Sequence, residues 1–155
     1  MKYNNINVTH PNHYQKNDGH PECIDLLKII CKEYSGFDAL CAGQSKYLYR
    51  CGSKADNGRS IKDKAIEDLN KFKQYMLFMI KNHETDVSFR TVTVFDKTSP
   101  QVTNVAKEFS YDKPEWAKSI YEEIIARLIT EEFVNGLKTI VELTDKLISL
   151  YENNF

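Results

Sequence analysis

Along most of this chain apolar residues recur at steps of three and four, the period of helices that bury one face. The stretch opened by Ser60 shows it best. Ala65, Leu69, Phe72, Met76 and Met79 alternate four- and three-residue steps, predicting one long helix that packs lengthwise against others and ends near Asn82. Ser60 with Asp63 reads as its capping box. Upstream, Pro21 and Glu22 suit the first turn of a helix running to about Tyr34, with Leu26, Leu27 and Ile30 on one face. A second helix is expected from a Ser35–Asp38 capping box, with Phe37, Leu40, Cys41, Leu48 and Cys51 facing inward and Gly52 ending it.

The pattern changes after Asp86. VSFRTVTVF (87–95) alternates and is rich in β-branched and aromatic residues, and with the run Val102 to Phe109 beyond Ser99 and Pro100 it predicts a small hairpin. Asp112 with Glu115 then reads as a further cap. Trp116, Ile120, Ile124 and Leu128 continue into Phe133, Leu137, Ile140, Thr144, Leu147 and Tyr151, as one long helix or as a pair broken near Thr130 or Asn135–Gly136. Its stripe suits either a partner chain or the protein's own core. The expected architecture is mainly α: a helical bundle-like core, a small β-hairpin insertion and a long C-terminal helix or helix pair. Residues 1–82 form the core in this reading, and 83–155 the hairpin and a helical extension suited to oligomerisation, within one compact unit.

Charge narrows the classes of function. With 21 basic and 22 acidic residues the net charge is −1, so no global field draws the chain to nucleic acid or anionic lipid, and any anion site must be local. No apolar run reaches the roughly 18 residues of a spanning helix, and MKYNNINVTH does not resemble a signal peptide, so a cytoplasmic protein is expected. Cys23, Cys31, Cys41 and Cys51 lie 8, 10 and 10 residues apart without a CxxC pair, which favours reduced core thiols over zinc or disulfides.

Candidate chemistry gathers at Lys46, Arg50 and Lys54, cations within about two helical turns beside Tyr47 and Gly43. Arginine offers phosphate a two-pronged donor, lysine a point charge, and an aromatic ring a surface for a base. A glycine inside a helix is unfavourable unless something approaches the backbone closely. The bland alternative is a solvated helix face. His10, His13 and Tyr14 crowd an irregular lead-in, where imidazoles can bind anions, move protons or pin a loop. Glu22 and Asp25, with Asp63, Glu67 and Asp68, could form a carboxylate cluster for Mg²⁺ if their helices pack together, though acidic residues in first turns are ordinary. The chain lacks both the GxxxxGK phosphate loop and the GxGxxG loop of protein kinases.

Four blocks in order, HPNHYQ (10–15), ECID (22–25), GQSKYLYRCGSK (43–54) and EDLNKFKQY (67–75), resemble a family of small phage proteins labelled nucleotide kinases. Its usual patterns are HPxHY, ExID, GNxxKYxxRxGxK and DLxKAxxY. The likeness covers about residues 10–80. It departs at Gln44, where asparagine is usual, and at Phe72, where alanine is common. The resemblance implies a deoxynucleoside monophosphate kinase-like protein of an infected bacterial cell, using ATP and Mg²⁺ without a phosphate loop. It would place the nucleotide on His10, Tyr14, Gly43, Lys46, Tyr47, Arg50, Lys54 and Lys71, the metal on Glu22 and Asp25, and acceptor orientation on His13 or Asp68. Two other functions fit the same residues: sequestration of a nucleotide-derived signal without turnover, and an all-α nucleoside triphosphate pyrophosphohydrolase. A homo-oligomer is expected in the leading reading; neither a membrane nor a nucleic-acid partner is.

Overall fold

Local capping explains where the helices begin. Ser60 is extended and its Oγ accepts the Asp63 N–H at 3.1 Å, opening a helix unbroken to His83. Ser99 does the same for Val102 at 3.3 Å, with Pro100 in the first turn. The computed structural model of the chain describes residues 20–32, 34–52, 60–84, 99–130 and 134–154. Its elements are α1 (Cys23–Ile30), α2 (Gly36–Ala42), a 3-10 turn (Gly43–Ser45), α3 (Lys46–Arg50), α4 (Ile61–His83), α5 (Pro100–Ser110), α6 (Lys118–Thr130) and α7 (Val134–Asn154). The protein is mainly α, and no strand occurs among the described residues.

The expected hairpin is therefore corrected. Its second run is α5, and its first, 87–95, lies outside the described residues. The misreading was one of period: Val102, Val105, Ala106 and Phe109 are all buried, at the i, i+3, i+4, i+7 spacing of a helix face. The second expected helix is interrupted by the 3-10 turn at Gly43, and Phe37 and Leu40, expected inside, are exposed while Cys41, Leu48 and Cys51 are buried. Glu22 is the N-cap of α1 rather than a first-turn residue, and Ser35 sits at the N-cap of α2 without a side-chain cap bond. Asp112 and Glu115 do not open a helix; the chain turns through 111–117 before α6 begins at Lys118. The C-terminal stripe is a helix pair. α6 ends at Thr130, and Asn135–Gly136 falls inside the first turn of α7.

Packing is organised around α4. Its seam of Ala65, Leu69, Phe72, Met76 and Met79 is fully buried, as its periodicity predicts. α7 lies along it: Lys73 pairs with Asp145 at 2.7 Å, while the chain at Cys51 and Gly52 touches Ala65 near one end of α4 and Tyr151 near the opposite end of α7, so the two helices run antiparallel. The C-terminal stripe of Leu137, Ile140, Thr144, Leu147 and Tyr151 is thus buried within its own chain. α5 and α6 pack on each other, α6 also packs on α7, and α1 leans on α3, α5 and α6. One continuous core draws on every helix from α1 to α7, both before and after residue 82.

Candidate anion-binding site

Helices α2 and α3 run antiparallel to α4, and this register builds the site. Asp38 meets His83 at 2.7 Å, Arg50 meets Asp68 at 3.1 Å, and the Cys51 thiol donates to the Ala65 carbonyl at 3.4 Å. Between these ties Tyr47 projects toward α4. Three cations surround its ring: the Lys46 ammonium at 5.5 Å, the Arg50 guanidinium at 5.1 Å and the Lys71 ammonium at 5.5 Å from the centroid. Each distance is within the roughly 6 Å over which a cation is drawn to an aromatic quadrupole.

Beneath the ring lies an ionic layer. Asp68, only 1% exposed, accepts from Arg50 and lies 3.5 Å from the Lys64 ammonium; Glu67 lies 2.8 Å from Lys71 and 3.6 Å from Lys64. With Lys46 on the Tyr47 ring, and Arg50, Lys64 and Lys71 paired to Glu67 and Asp68, the cluster has a local excess of two positive charges in a chain whose net charge is −1. A buried carboxylate must be paired, and here it fixes where Arg50 points. Asp68 is thus an anchor for two cations, with its Oδ1 already engaged by both. Tyr47, the expected base platform, is the hub that gathers the cations. Three cations thus crowd the ring expected to carry a base.

The end of α3 is held from the other half of the chain. Lys113, 4% exposed, donates to the backbone carbonyls of Tyr49 and Cys51, the acceptors that a helix C-terminus leaves unsatisfied. Gly52 then turns with φ +78°, the left-handed conformation that suits glycine after a helix. Around this turn Tyr121 donates to the Cys51 sulfur at 3.1 Å and shares a hydrogen bond with Tyr151 at 2.9 Å. Burial pushes the Cys51 thiol up to about 11, an effect tempered by the Lys113 ammonium, and burial likewise raises both tyrosines. All four cysteines are free.

The remaining expected site residues are distributed otherwise. Asp25 accepts the Glu22 N–H at 3.2 Å, serving the start of α1. That start is tied to α3 through the Tyr49 hydroxyl, which donates to the Pro21 carbonyl at 3.2 Å, whereas Tyr47 and Arg50 address α4. The start of α1, with Glu22 and Asp25, therefore adjoins Tyr49, while Tyr47 and Arg50 adjoin α4. Among the described residues no group of three His, Cys, Asp or Glu side chains is placed to hold a metal ion. Gly43 begins the 3-10 turn with an ordinary φ of −63°, and an added Cβ there would meet nothing within 4 Å. His10, His13, Tyr14 and Lys54 lie outside the described residues.

Lys64 and Lys113 were not anticipated. Lys64 had a readable signal, four residues before Asp68 on one helix face. Lys113 had none, since its partners are more than sixty residues away in sequence. A shallow depression of about 180 Å³ between α5 and α6, lined by Thr103, Lys107, Ser119 and Glu122 among others, shares no residue with this cluster. Among the described residues no helix is long and apolar enough to cross a membrane. Comparison with protein families, curated proteins and solved structures finds no match.

Proposed function

We propose that this protein binds a nucleotide, with its phosphates on Lys46, Arg50 and Lys71. The observation that carries the reading is the ring of three cations around Tyr47, in which Arg50 is held by the buried Asp68 and Lys71 by Glu67. Three converging donors, one of them a guanidinium fixed by a buried carboxylate, present concentrated positive charge without any need for a phosphate loop. The resemblance to phage nucleotide kinases supplies the substrate class: a deoxynucleoside monophosphate as acceptor and ATP as donor. In that reaction the cations would neutralise charge on the transferring phosphoryl group.

A second reading, binding without turnover, is favoured by one observation. Asp68, the described residue offered for acceptor orientation, is 1% exposed and bonded to Arg50. Both readings are tested together. A thermal-shift screen across nucleoside mono- and triphosphates, with and without Mg²⁺, should raise the midpoint, because a ligand at about 100 times its Kd stabilises the folded state by roughly 2.7 kcal/mol. Incubation with ATP, Mg²⁺ and each monophosphate then separates turnover from sequestration. A screen in which no nucleotide raises the midpoint overturns the proposal, and release of pyrophosphate from a triphosphate would replace it with the hydrolase reading.

A further inference from the structure

Three cations crowd Tyr47, and a second aromatic surface lies beside them on α4. Lys71, Tyr75 and Phe78 lie on one face of α4, since seven residues make almost two whole turns. Phe78 is 44% exposed, a large apolar ring left in solvent about 10 Å along the helix axis from Lys71. It is not a loose side chain. Tyr75, partly buried against the core, meets it edge to face with centroids 5.7 Å apart and planes at 82°. This leaves Phe78 braced by a neighbour that is itself held. Across the α2–α4 pair, the Asp38–His83 and Arg50–Asp68 ties set a register that brings Leu40, 54% exposed, level with the last turns of α4. An exposed aliphatic and an exposed aromatic side chain thus continue the strip that begins with the cations.

We infer that Phe78, braced by Tyr75, is the platform on which the base of the bound nucleotide stacks, while its phosphates lie on Lys46, Arg50 and Lys71. The inference rests on the nucleotide-binding reading above and adds to it the residue that senses the base. Stacking needs a fixed π-face beside a positive strip, and this face of α4 supplies both. The position also predicts a division of labour: Phe78 discriminates a nucleotide from bare polyphosphate, and the cations do not.

The test compares ATP with inorganic tripolyphosphate, titrated calorimetrically into the full chain and into Phe78→Ala and Phe78→Trp variants. Because Phe78 is exposed, neither substitution opens a hole in the core. Phe78→Ala should weaken ATP binding by about 5- to 100-fold and leave tripolyphosphate unchanged, with Phe78→Trp restoring ATP affinity. Unchanged ATP affinity in Phe78→Ala would overturn the platform and leave the phosphate site standing. An equal loss of both ligands would overturn it too, as a structural effect. If the unaltered protein binds neither probe, the inference falls together with the reading on which it rests.

Discussion

Gly52 is where the candidate site is fastened to the C-terminal helix, and replacing it with alanine tests that fastening. Two costs add. At φ +78° a Cβ is strained by about 1 kcal/mol. The new Cβ would also clash with the Tyr151 hydroxyl oxygen and lie 3.3 Å from its Cζ, so the ring must move. Moving it breaks the Tyr121–Tyr151 hydrogen bond in a fully buried setting, at about 1–3 kcal/mol. Gly52→Ala should therefore destabilise the chain by about 3 kcal/mol, which for a protein of this size lowers the melting midpoint by about 10 °C. Urea unfolding followed by circular dichroism measures it. The control is Tyr151→Phe, which removes the clashing oxygen. The double variant should be less destabilised than the sum of the singles by at least about 1 kcal/mol, because the steric cost is shared. Strict additivity, or a Gly52→Ala variant within about 0.5 kcal/mol of the parent, would refute the packing of α7 against the end of α3.

Lys113→Met leaves the carbonyls of Tyr49 and Cys51 without their charged donor and should cost about 2–3 kcal/mol by thermal or urea denaturation. Arg50→Ala strands the buried Asp68 with only the more distant Lys64. It should lower stability by about 2–4 kcal/mol, and the further change Asp68→Asn should recover part of that loss. Both Cys41 and Cys51 have thiols raised to about 11 by burial, so the folded state holds their protons more tightly than the unfolded chain, where the ordinary value is 9.0. Stability from these groups is complete below pH 9 and falls as pH rises toward 11. Native Cys51 should stay unreactive to a thiol reagent at pH 8, and rapid labelling there would contradict its burial.

The sequence by itself determined the helices whose apolar period is long and regular. The α4 seam from Ala65 to Met79 and the α7 stripe from Leu137 to Tyr151 are both buried as their spacing requires, because a helix must hide its one apolar face. It also marked Lys46 and Arg50 beside Tyr47, since i,i+4 neighbours share a face whatever the tertiary context, while Lys71 entered the expected site only through the family resemblance. Short segments were less legible. The run Val102 to Phe109 supports two periods over eight residues, and only packing against α6 decides for the helix. Tertiary structure alone decided that Tyr47 gathers cations, that Phe37, Leu40 and Phe78 remain in solvent, and that Lys113 closes the end of α3. Those outcomes depend on antiparallel register between helices distant in sequence, and on burial that makes each unpaired charge or carbonyl find a partner. Neither is encoded in the spacing of any one helix.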